Sequence, residues 1–318
     1  MRNLVPLLLL VACTKTTETD DTEVVDTDVV VDTDTDLPPQ TPLITSATPL
    51  SGRVGVGTAS VITVTFSKEM NLATVNNQPE SGDCAGTMQV SVGPDFDECI
   101  GLSGKTSDNR VFTLTPAAPL ADDASYRLAV TEGVASAAGI PLVPKADVIT
   151  FRTTRFPENA KILYPVDSTG EMGGAAGADA KCHAASPLPV GVTAAKAMLT
   201  DTTRVACSVS YCGDGNVQTD WALLATAHYV RSDGEFLFTT DEHGIAAFPI
   251  ANTLGTRLNF WSGLAKDWTS LGPNCLDWTS SSVDESGAVG LDDSTSDAWL
   301  QGGTLGCNEL RPVFCAER

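Results

Sequence analysis

The chain has 318 residues, a length that suggests two domains, and 42% of its residues are hydrophobic, which is enough for folded cores. Asp and Glu number 40 against 19 Lys and Arg, and the resulting net charge of −21 disfavours binding to nucleic-acid phosphates. Aromatic residues make up only 6% and histidines number 3, so histidine-based chemistry has few residues to draw on. These numbers favour a binding protein over an enzyme.

The N-terminus predicts export. Arg2 precedes a short apolar run, Leu4–Ala12, which is far shorter than the about 20 apolar residues of a membrane-spanning helix. The segment Leu10–Cys13 resembles the bacterial lipobox, in which the signal peptide is removed before a cysteine that then becomes lipidated. This resemblance implies a signal peptide over 1–12, a lipid anchor at Cys13 that partners a membrane, and a place in the bacterial outer membrane or at the cell surface. A plain secretory signal followed by an unrelated cysteine is the alternative.

Residues 13–41 predict an acidic, disordered tether. Residues 13–40 contain nine carboxylates and one lysine among Thr and Val, and the run ends at Pro38, Pro39 and Pro42. Such a segment cannot bury a core, and repulsion between its charges keeps it extended. We interpret it as a solvated spacer, with calcium binding by its Asp-Thr repeats as the alternative.

The eight other cysteines predict disulfides. They are Cys84, Cys99, Cys182, Cys207, Cys212, Cys275, Cys307 and Cys315. An even number agrees with an oxidising compartment, and neither a C-x-x-C motif nor a suitably spaced histidine supports metal ligation instead. Cys84 and Cys99 are alone in the first half of the chain, so we expect them to pair. The spacing of the other six leaves their pairing open.

Residues 42–154 predict a β-sandwich. Alternation of apolar and polar residues marks strands, separated by turn residues, at Ser60–Ser67, Met88–Val92, Arg110–Thr115, Tyr126–Thr131 and Asp147–Thr153. The segments VTFSKEMNLATV (Val64–Val75) and YRLAVTEGVASAAGIPL (Tyr126–Leu142), with a closing TFRT, resemble the bacterial Ig-like domains of S-layer and surface proteins. This resemblance implies a spacer domain without catalytic residues.

Residues 155–318 predict an α+β domain in a chain that is mainly β. The alanine-rich segment from Ala175 is expected to form a helix that carries Cys182. The segments GGAAGADAKC, KAML, WSG at Trp261–Gly263 and NCLDW at Asn274–Trp278, together with Cys315, resemble an exported bacterial domain of unknown function. That domain belongs to the C-type-lectin-like superfamily, which has endostatin-like relatives.

The lectin-like resemblance implies a disulfide pairing and bears on sugar binding. The implied pairs are Cys182–Cys315, Cys275–Cys307 and Cys207–Cys212. Sugar-binding members use Glu-Pro-Asn or Gln-Pro-Asp followed by Trp-Asn-Asp, and none of these tripeptides occurs in this sequence. Their absence argues against calcium-dependent sugar binding of the ordinary kind, so function must be argued from a site.

Three groups of residues are candidate sites in this domain. Asp214, Asn216 and Asp220 place oxygen ligands at alternate positions of DGNVQTD, as a calcium loop does, although a polar hairpin is the alternative. Asp292, Asp293 and Asp297 lie in a stretch with the pattern Asp-x-Ser-x-Ser, which could attract a hard cation or arise by chance. Trp261, Trp268, Trp278 and Trp299 could stack against a ligand or form a core.

No H-E-x-x-H, G-x-S-x-G or P-loop motif occurs in the sequence, so it gives no support for an enzyme. We expect a lipid-anchored cell-surface recognition or adhesion protein whose second domain binds an extracellular glycan or protein. No cofactor is expected, with calcium as the one exception named above. The alternatives are an envelope-structural spacer without a ligand and a secreted hydrolase with a dispersed Ser-His-Asp site.

Overall fold

The computed structural model describes residues 41–93, 95–143, 149–207, 218–255 and 259–318. Contacts divide the chain into residues 1–40 and a unit that extends from Thr41 to Arg318. The predictions of a signal peptide, a lipidated Cys13 and an acidic tether therefore lie outside the described residues. Within the described ranges, no helix is both long enough and apolar enough to cross a membrane.

The first domain is the predicted sandwich. Its strands are β1 Ile44–Thr48, β2 Arg53–Val56, β3 Ile62–Phe66, β4 Gly82–Asp83, β5 Met88–Val92, β6 Glu98–Cys99, β7 Leu102–Thr106, β8 Val111–Pro116, β9 Ser125–Val130 and β10 Ile149–Thr153. One sheet has the order β1-β3-β8-β7, and the other has the order β2-β10-β9-β5-β6-β4. All five predicted strands are present, and their described ends lie within two residues of the predicted ones.

The alternation in these strands places one face of each sheet in a shared core. In β3, Ile62, Val64 and Phe66 are buried while Thr63 and Thr65 are only partly covered. These side chains belong to one apolar cluster with Met88 and Leu128 of the other sheet. The two sheets therefore pack face to face, as expected of an Ig-like sandwich.

The second domain is built on one eight-stranded mixed sheet. Its elements are β11 Lys161–Ser168, α1 Gly174–His183, β12 Ala195–Ala197, β13 His228–Arg231, β14 Phe236–Thr239, β15 Asn259–Trp261, one helical turn at Cys275–Trp278, β16 Ser286–Leu291, a 3₁₀ turn at Asp297–Trp299, β17 Gly303–Gly306 and β18 Arg311–Glu317. The order is β14-β13-β11-β18-β15-β16-β17, and β12 also pairs with β18. The helix predicted from Ala175 is α1, which begins one residue earlier.

Both faces of this sheet are covered. In β18, Phe314 and Ala316 belong to one apolar cluster, while the alternating Val313 and Cys315 belong to another. Helix α1 packs on the second face through Ala175, Ala178 and Cys182. This burial on both faces explains why β18 reads as a nearly continuous apolar run rather than an alternating strand.

Disulfide bonds join Cys84 to Cys99, Cys182 to Cys315 and Cys275 to Cys307. These are the pairs expected from chain position and from the lectin-like resemblance. Cys207 is also disulfide-bonded, and its predicted partner Cys212 lies outside the described residues. The Cys182–Cys315 bond fixes α1 to the central strand β18.

The two domains are joined by more than a linker. Residues 154–160 run along the sandwich, where Phe156 accepts a hydrogen bond from Thr58 N at 2.8 Å and Ala160 donates one to Gly55 O at 2.7 Å. Arg53 Nη2 donates to both carboxylate oxygens of Glu317 at 2.9 Å, and both side chains are largely buried. Strand β2 of the first domain is thereby held against β18 of the second.

Candidate functional site

The end of the second domain that faces away from this junction is formed by three segments, residues 168–173, 274–285 and 306–311, which we call the distal tip. Strands β11 and β18 are antiparallel, so Ser168 lies opposite Arg311 at one end of the pair while Glu317 lies near the sandwich at the other. The Cys275–Cys307 disulfide and a hydrogen bond from Gly170 N to Cys307 O at 2.8 Å connect the three segments.

The turn Cys275–Trp278 has an unusual backbone. Its four residues have φ values of 53°, 54°, 54° and 59°, although none is glycine. For L-residues this left-handed conformation costs about 1–2 kcal/mol per residue, or about 4–8 kcal/mol for the turn. Such strain persists only where the surroundings determine the conformation.

Contacts on every side hold the turn in place. Asn274 Oδ1 accepts a hydrogen bond from Asp277 N at 3.0 Å, and the Asp277 carboxylate accepts from the Thr202 hydroxyl at 2.9 Å. The indole of Trp278 is fully buried and donates to Thr200 O at 2.8 Å. The Cys275 side chain is buried in its disulfide. Of the four side chains only Leu276 is exposed, at 59%.

Two further aliphatic side chains of the distal tip are exposed. Val283 is 70% exposed and Leu310 is 60% exposed. Carboxylates lie in the same segments, at Glu171, Asp284, Glu285 and Glu309. Arg311 pairs with Glu309 at 3.3 Å, so that its charge is already engaged. The segments of the distal tip therefore combine three exposed aliphatic side chains with several carboxylates.

The distal tip also contains buried polar atoms that lack hydrogen bonds. Ser168 and Arg311 lie opposite each other in the pair of strands β11 and β18. Neither Ser168 Oγ nor Arg311 Nε has a hydrogen-bond partner among the described residues. Leaving a buried polar atom unsatisfied costs about 1–3 kcal/mol. The tip therefore carries desolvation costs in addition to its backbone strain.

Grooves flank the domain junction. One of about 680 Å³ is lined by Pro49, Leu50, Val61, Lys161 and Glu317, among others. Another of about 430 Å³ is lined by Val54, Tyr164 and the proline-rich segment Pro187–Val190.

The polar groups of these grooves serve the junction. Glu317 binds Arg53 and accepts a hydrogen bond from Ile162 N at 2.9 Å. Burial, and to a lesser extent the charge of Glu317, raise the pKa of Tyr164 to about 12, and its hydroxyl donates to Cys182 O at 2.9 Å. We therefore regard the grooves as consequences of how the domains join.

Of the two interpretations of the tryptophans, ligand contact is corrected by the structure and the core alternative is confirmed. Trp261, Trp268, Trp278 and Trp299 are at most 3% exposed. Trp268 and Trp299 pack against each other with ring centroids 5.8 Å apart, and Trp261 and Trp278 do the same on the other face of the sheet. The concentration of tryptophans after residue 260 therefore reflects the filling of two cores rather than a binding surface.

The predicted calcium loop is described only in part. Asp214 and Asn216 lie outside the described residues, and calcium binding there stays a prediction. Asp220 pairs with the fully buried Arg204 at 2.7 Å and with Lys196. Burial alone would raise the pKa of Asp220, but hydrogen bonds from Lys196 and Arg204 lower it below its usual value. In the structure this carboxylate serves an ion-pair network with Arg204 and Asp179.

The second predicted cation site also stays untested as a binding site. Asp292 is buried, Asp293 is exposed, and Asp297 lies 3.5 Å from Lys266. Across the described part of the chain, no three His, Cys, Asp or Glu side chains are grouped so that they could hold a metal ion. The structure therefore brings none of the described acidic candidates together as a ligand set.

The fold and the distal tip define a mainly β, disulfide-bonded chain of two joined domains with exposed aliphatic side chains in the segments at one end. Residues 38–153 match a family described as bacterial Ig-like domain. Residues 165–295 match a family described as a protein of unknown function, DUF1554. No curated protein matches the chain.

Two solved structures share limited similarity with the chain. The N-terminal part of the bacterial S-layer protein SbsC has 17% identity and a TM-score of 0.27, and the match covers 41% of this chain and 25% of that one. An L,D-transpeptidase from Mycobacterium smegmatis has 12% identity and a TM-score of 0.24, with 56% and 71% covered. Neither contributes to the function proposed below.

Proposed function

We propose that the chain is a lipid-anchored cell-surface recognition or adhesion protein that has no catalytic role and uses its second domain to bind a ligand. The observation that supports this proposal most directly is the distal tip, where a strained and fully braced turn exposes Leu276. Strained backbone of this kind is concentrated at functional sites.

The order of the domains agrees with this role. Strand β1 begins beside Phe66, at the end of the sandwich away from the junction, and reaches the junction at Thr48. The chain therefore enters the described unit at one end and presents the distal tip at the other. A lipidated Cys13 followed by an acidic tether would place the sandwich between the membrane and the ligand-binding domain.

Two of the three histidines, His183 and His228, make structural contacts, which agrees with a non-catalytic role. His183 Nε2 accepts a hydrogen bond from Ala195 N at 3.2 Å. His228 stacks on Phe156 with ring centroids 3.4 Å apart, and burial lowers its pKa. Both rings thus have structural partners. The disulfides Cys182–Cys315 and Cys275–Cys307 agree with a C-type-lectin-like second domain, which is part of the proposal.

The anchor and the recognition function are tested separately. For the anchor, the full-length chain and Cys13→Ser are expressed in a bacterial host, and cells are fractionated after labelling with a fatty acid. We expect label and membrane association only in the unsubstituted chain. Equal membrane association of both forms without label would refute lipidation.

For recognition, beads coated with the full-length chain are incubated with glycan-bearing and protein-bearing surfaces. We expect the beads to adhere, and we expect this adhesion to be lost in a variant in which Leu276, Val283 and Leu310 are all replaced by serine. Beads that adhere to nothing would leave the envelope-structural alternative as the better account.

A further inference from the structure

We propose that the ligand of the distal tip is a protein whose contacting surface is both apolar and cationic, an inference that rests on the function proposed above. The candidate ligands are glycans and proteins, and the side chains of the tip distinguish between them.

The exposed side chains of the distal tip suit a protein better than a sugar. A sugar ring is usually bound by the flat face of an aromatic side chain together with convergent hydrogen bonds. The tryptophans of this domain are at most 5% exposed, whereas the exposed apolar residues of the tip are the aliphatic Leu276, Val283 and Leu310. Aliphatic side chains surrounded by polar residues are typical of protein interfaces.

The charge around these side chains indicates the sign of the partner. Glu171, Asp284 and Glu309 are exposed, and Glu285 is partly exposed. The basic residue of the tip segments, Arg311, is already paired with Glu309. Negative charge at the rim of an interface attracts a positive partner and repels a like one. A second copy of this chain would bring the same carboxylates together, so the tip favours a different, cationic protein.

The backbone of the distal tip is prepared for binding in advance. Asn274, Thr200 and Thr202 each bind the turn through hydrogen bonds, and the Cys275–Cys307 disulfide fixes one end of it. Leu276 is therefore held in one position before the partner arrives. Preorganisation lowers the entropy lost on binding, so a small apolar contact can contribute a large share of the affinity.

The experiment uses the full-length chain and an array of peptides in four classes, in which apolar content and charge are varied independently. The tip variant is Leu276→Ser, Val283→Ser and Leu310→Ser combined. The matched control is Leu72→Ser, Val92→Ser and Val143→Ser, which removes three exposed aliphatic side chains from the sandwich. Both variants keep the net charge, so non-specific attraction of cationic peptides to an acidic protein is the same in each.

We expect the unsubstituted chain and the sandwich control to bind the apolar cationic peptides, and the tip variant to lose about tenfold or more in affinity. The charge variant, Asp284→Asn with Glu309→Gln, should bind more weakly and with less dependence on salt. Unfolding curves of all variants in urea are compared, because surface substitutions of this kind should leave the folded state intact.

Several results would overturn the inference. Equal binding by the tip variant and the sandwich control would remove the distal tip as the site, and binding to no peptide class would remove the cationic apolar partner. A glycan array is measured with the same preparations. Glycan binding that the tip variant loses would refute a protein ligand while leaving the recognition function in place, whereas failure of all adhesion in the bead assay would refute the recognition function itself.

Discussion

The contact between Arg53 and Glu317 gives a sharp test of how the two domains are held together. Arg53 Nη2 donates to both oxygens of Glu317 at 2.9 Å, and Arg53 also donates to Val190 O at 3.0 Å. The side chains are 13% and 8% exposed. Replacing Arg53 with methionine would keep much of the volume and leave the Glu317 carboxylate buried without its cation.

A buried ion that loses its partner destabilises a protein by about 3–5 kcal/mol, whereas replacing both partners with apolar residues is often nearly neutral. We therefore expect Arg53→Met to lower the free energy of unfolding by about 3–5 kcal/mol. The double variant Arg53→Met with Glu317→Leu should recover most of that loss, although Ile162 N then loses its acceptor.

The assay is urea unfolding of the disulfide-bonded chain, followed by tryptophan fluorescence. All four tryptophans discussed above lie in the second domain, so their signal reports on that domain, and far-ultraviolet circular dichroism reports on both. A control is the exposed pair Arg110 and Glu69, 3.7 Å apart, where Arg110→Met should change the stability by less than about 1 kcal/mol. A small effect of Arg53→Met on the free energy of unfolding would refute the reasoning. So would a double variant whose loss of stability equals the sum of the losses of the two single variants.

Three further predictions concern the disulfides and the second domain. Cys182–Cys315 closes a loop of 133 residues and Cys84–Cys99 closes one of 15. Replacing both cysteines of a bond with serine should therefore lower the free energy of unfolding, measured in urea, by about 5 kcal/mol for the first bond and about 3 kcal/mol for the second. The opposite order would contradict the loop-entropy model. Trp261 donates to Ser168 O at 2.9 Å while Trp299 Nε1 has no partner among the described residues, so Trp261→Phe should destabilise the chain by about 1 kcal/mol more than Trp299→Phe in the same assay. The pKa of Asp220 is lowered in the folded state, so the stability that its ion pairs contribute is present above the usual pKa of 3.8 and is lost as the pH falls through the lower folded pKa. Asp220→Asn should therefore reduce the loss of unfolding free energy at acid pH. An unchanged profile of stability against pH would contradict this ion pairing.

The sandwich could be predicted from the sequence because its strands have one buried face. Alternation at Ile62, Val64 and Phe66 is visible in the letters and is the same alternation that the core requires. Short strands without such alternation, such as β4 and β6, were not predicted. They pair at the edge of the sheet, where contacts with neighbouring strands rather than local pattern decide the conformation.

The second domain was less predictable because both faces of its sheet are buried. Continuous burial removes the alternation, so β18 could not be distinguished from other apolar segments. The same burial explains why the sequence left open whether the tryptophans form a core or contact a ligand, since sequence shows where aromatic residues occur and not which side of a sheet they cover. The disulfide pairing was expected through family resemblance, and spacing alone did not supply it.

The distal tip was missed for a different reason. The segment NCLDW was noted, but nothing in those letters indicates that four residues adopt positive φ, because left-handed turns are normally signalled by glycine. The conformation depends on partners far away in sequence, Thr200 and Thr202, and on a disulfide to Cys307. A site whose shape is imposed by distant contacts leaves no local signal.

The junction and the distal tip are linked through one strand. Glu317 and Arg311 are the two ends of β18, and at about 3.3 Å per residue they lie about 20 Å apart along it. The contact of Glu317 with Arg53 therefore sets the direction in which the tip is presented relative to the sandwich, while the chemistry of the tip is independent of it. It follows that the Arg53→Met, Glu317→Leu variant should bind a soluble peptide as the unsubstituted chain does. Loss of soluble binding by this variant would show instead that the two ends of β18 are coupled.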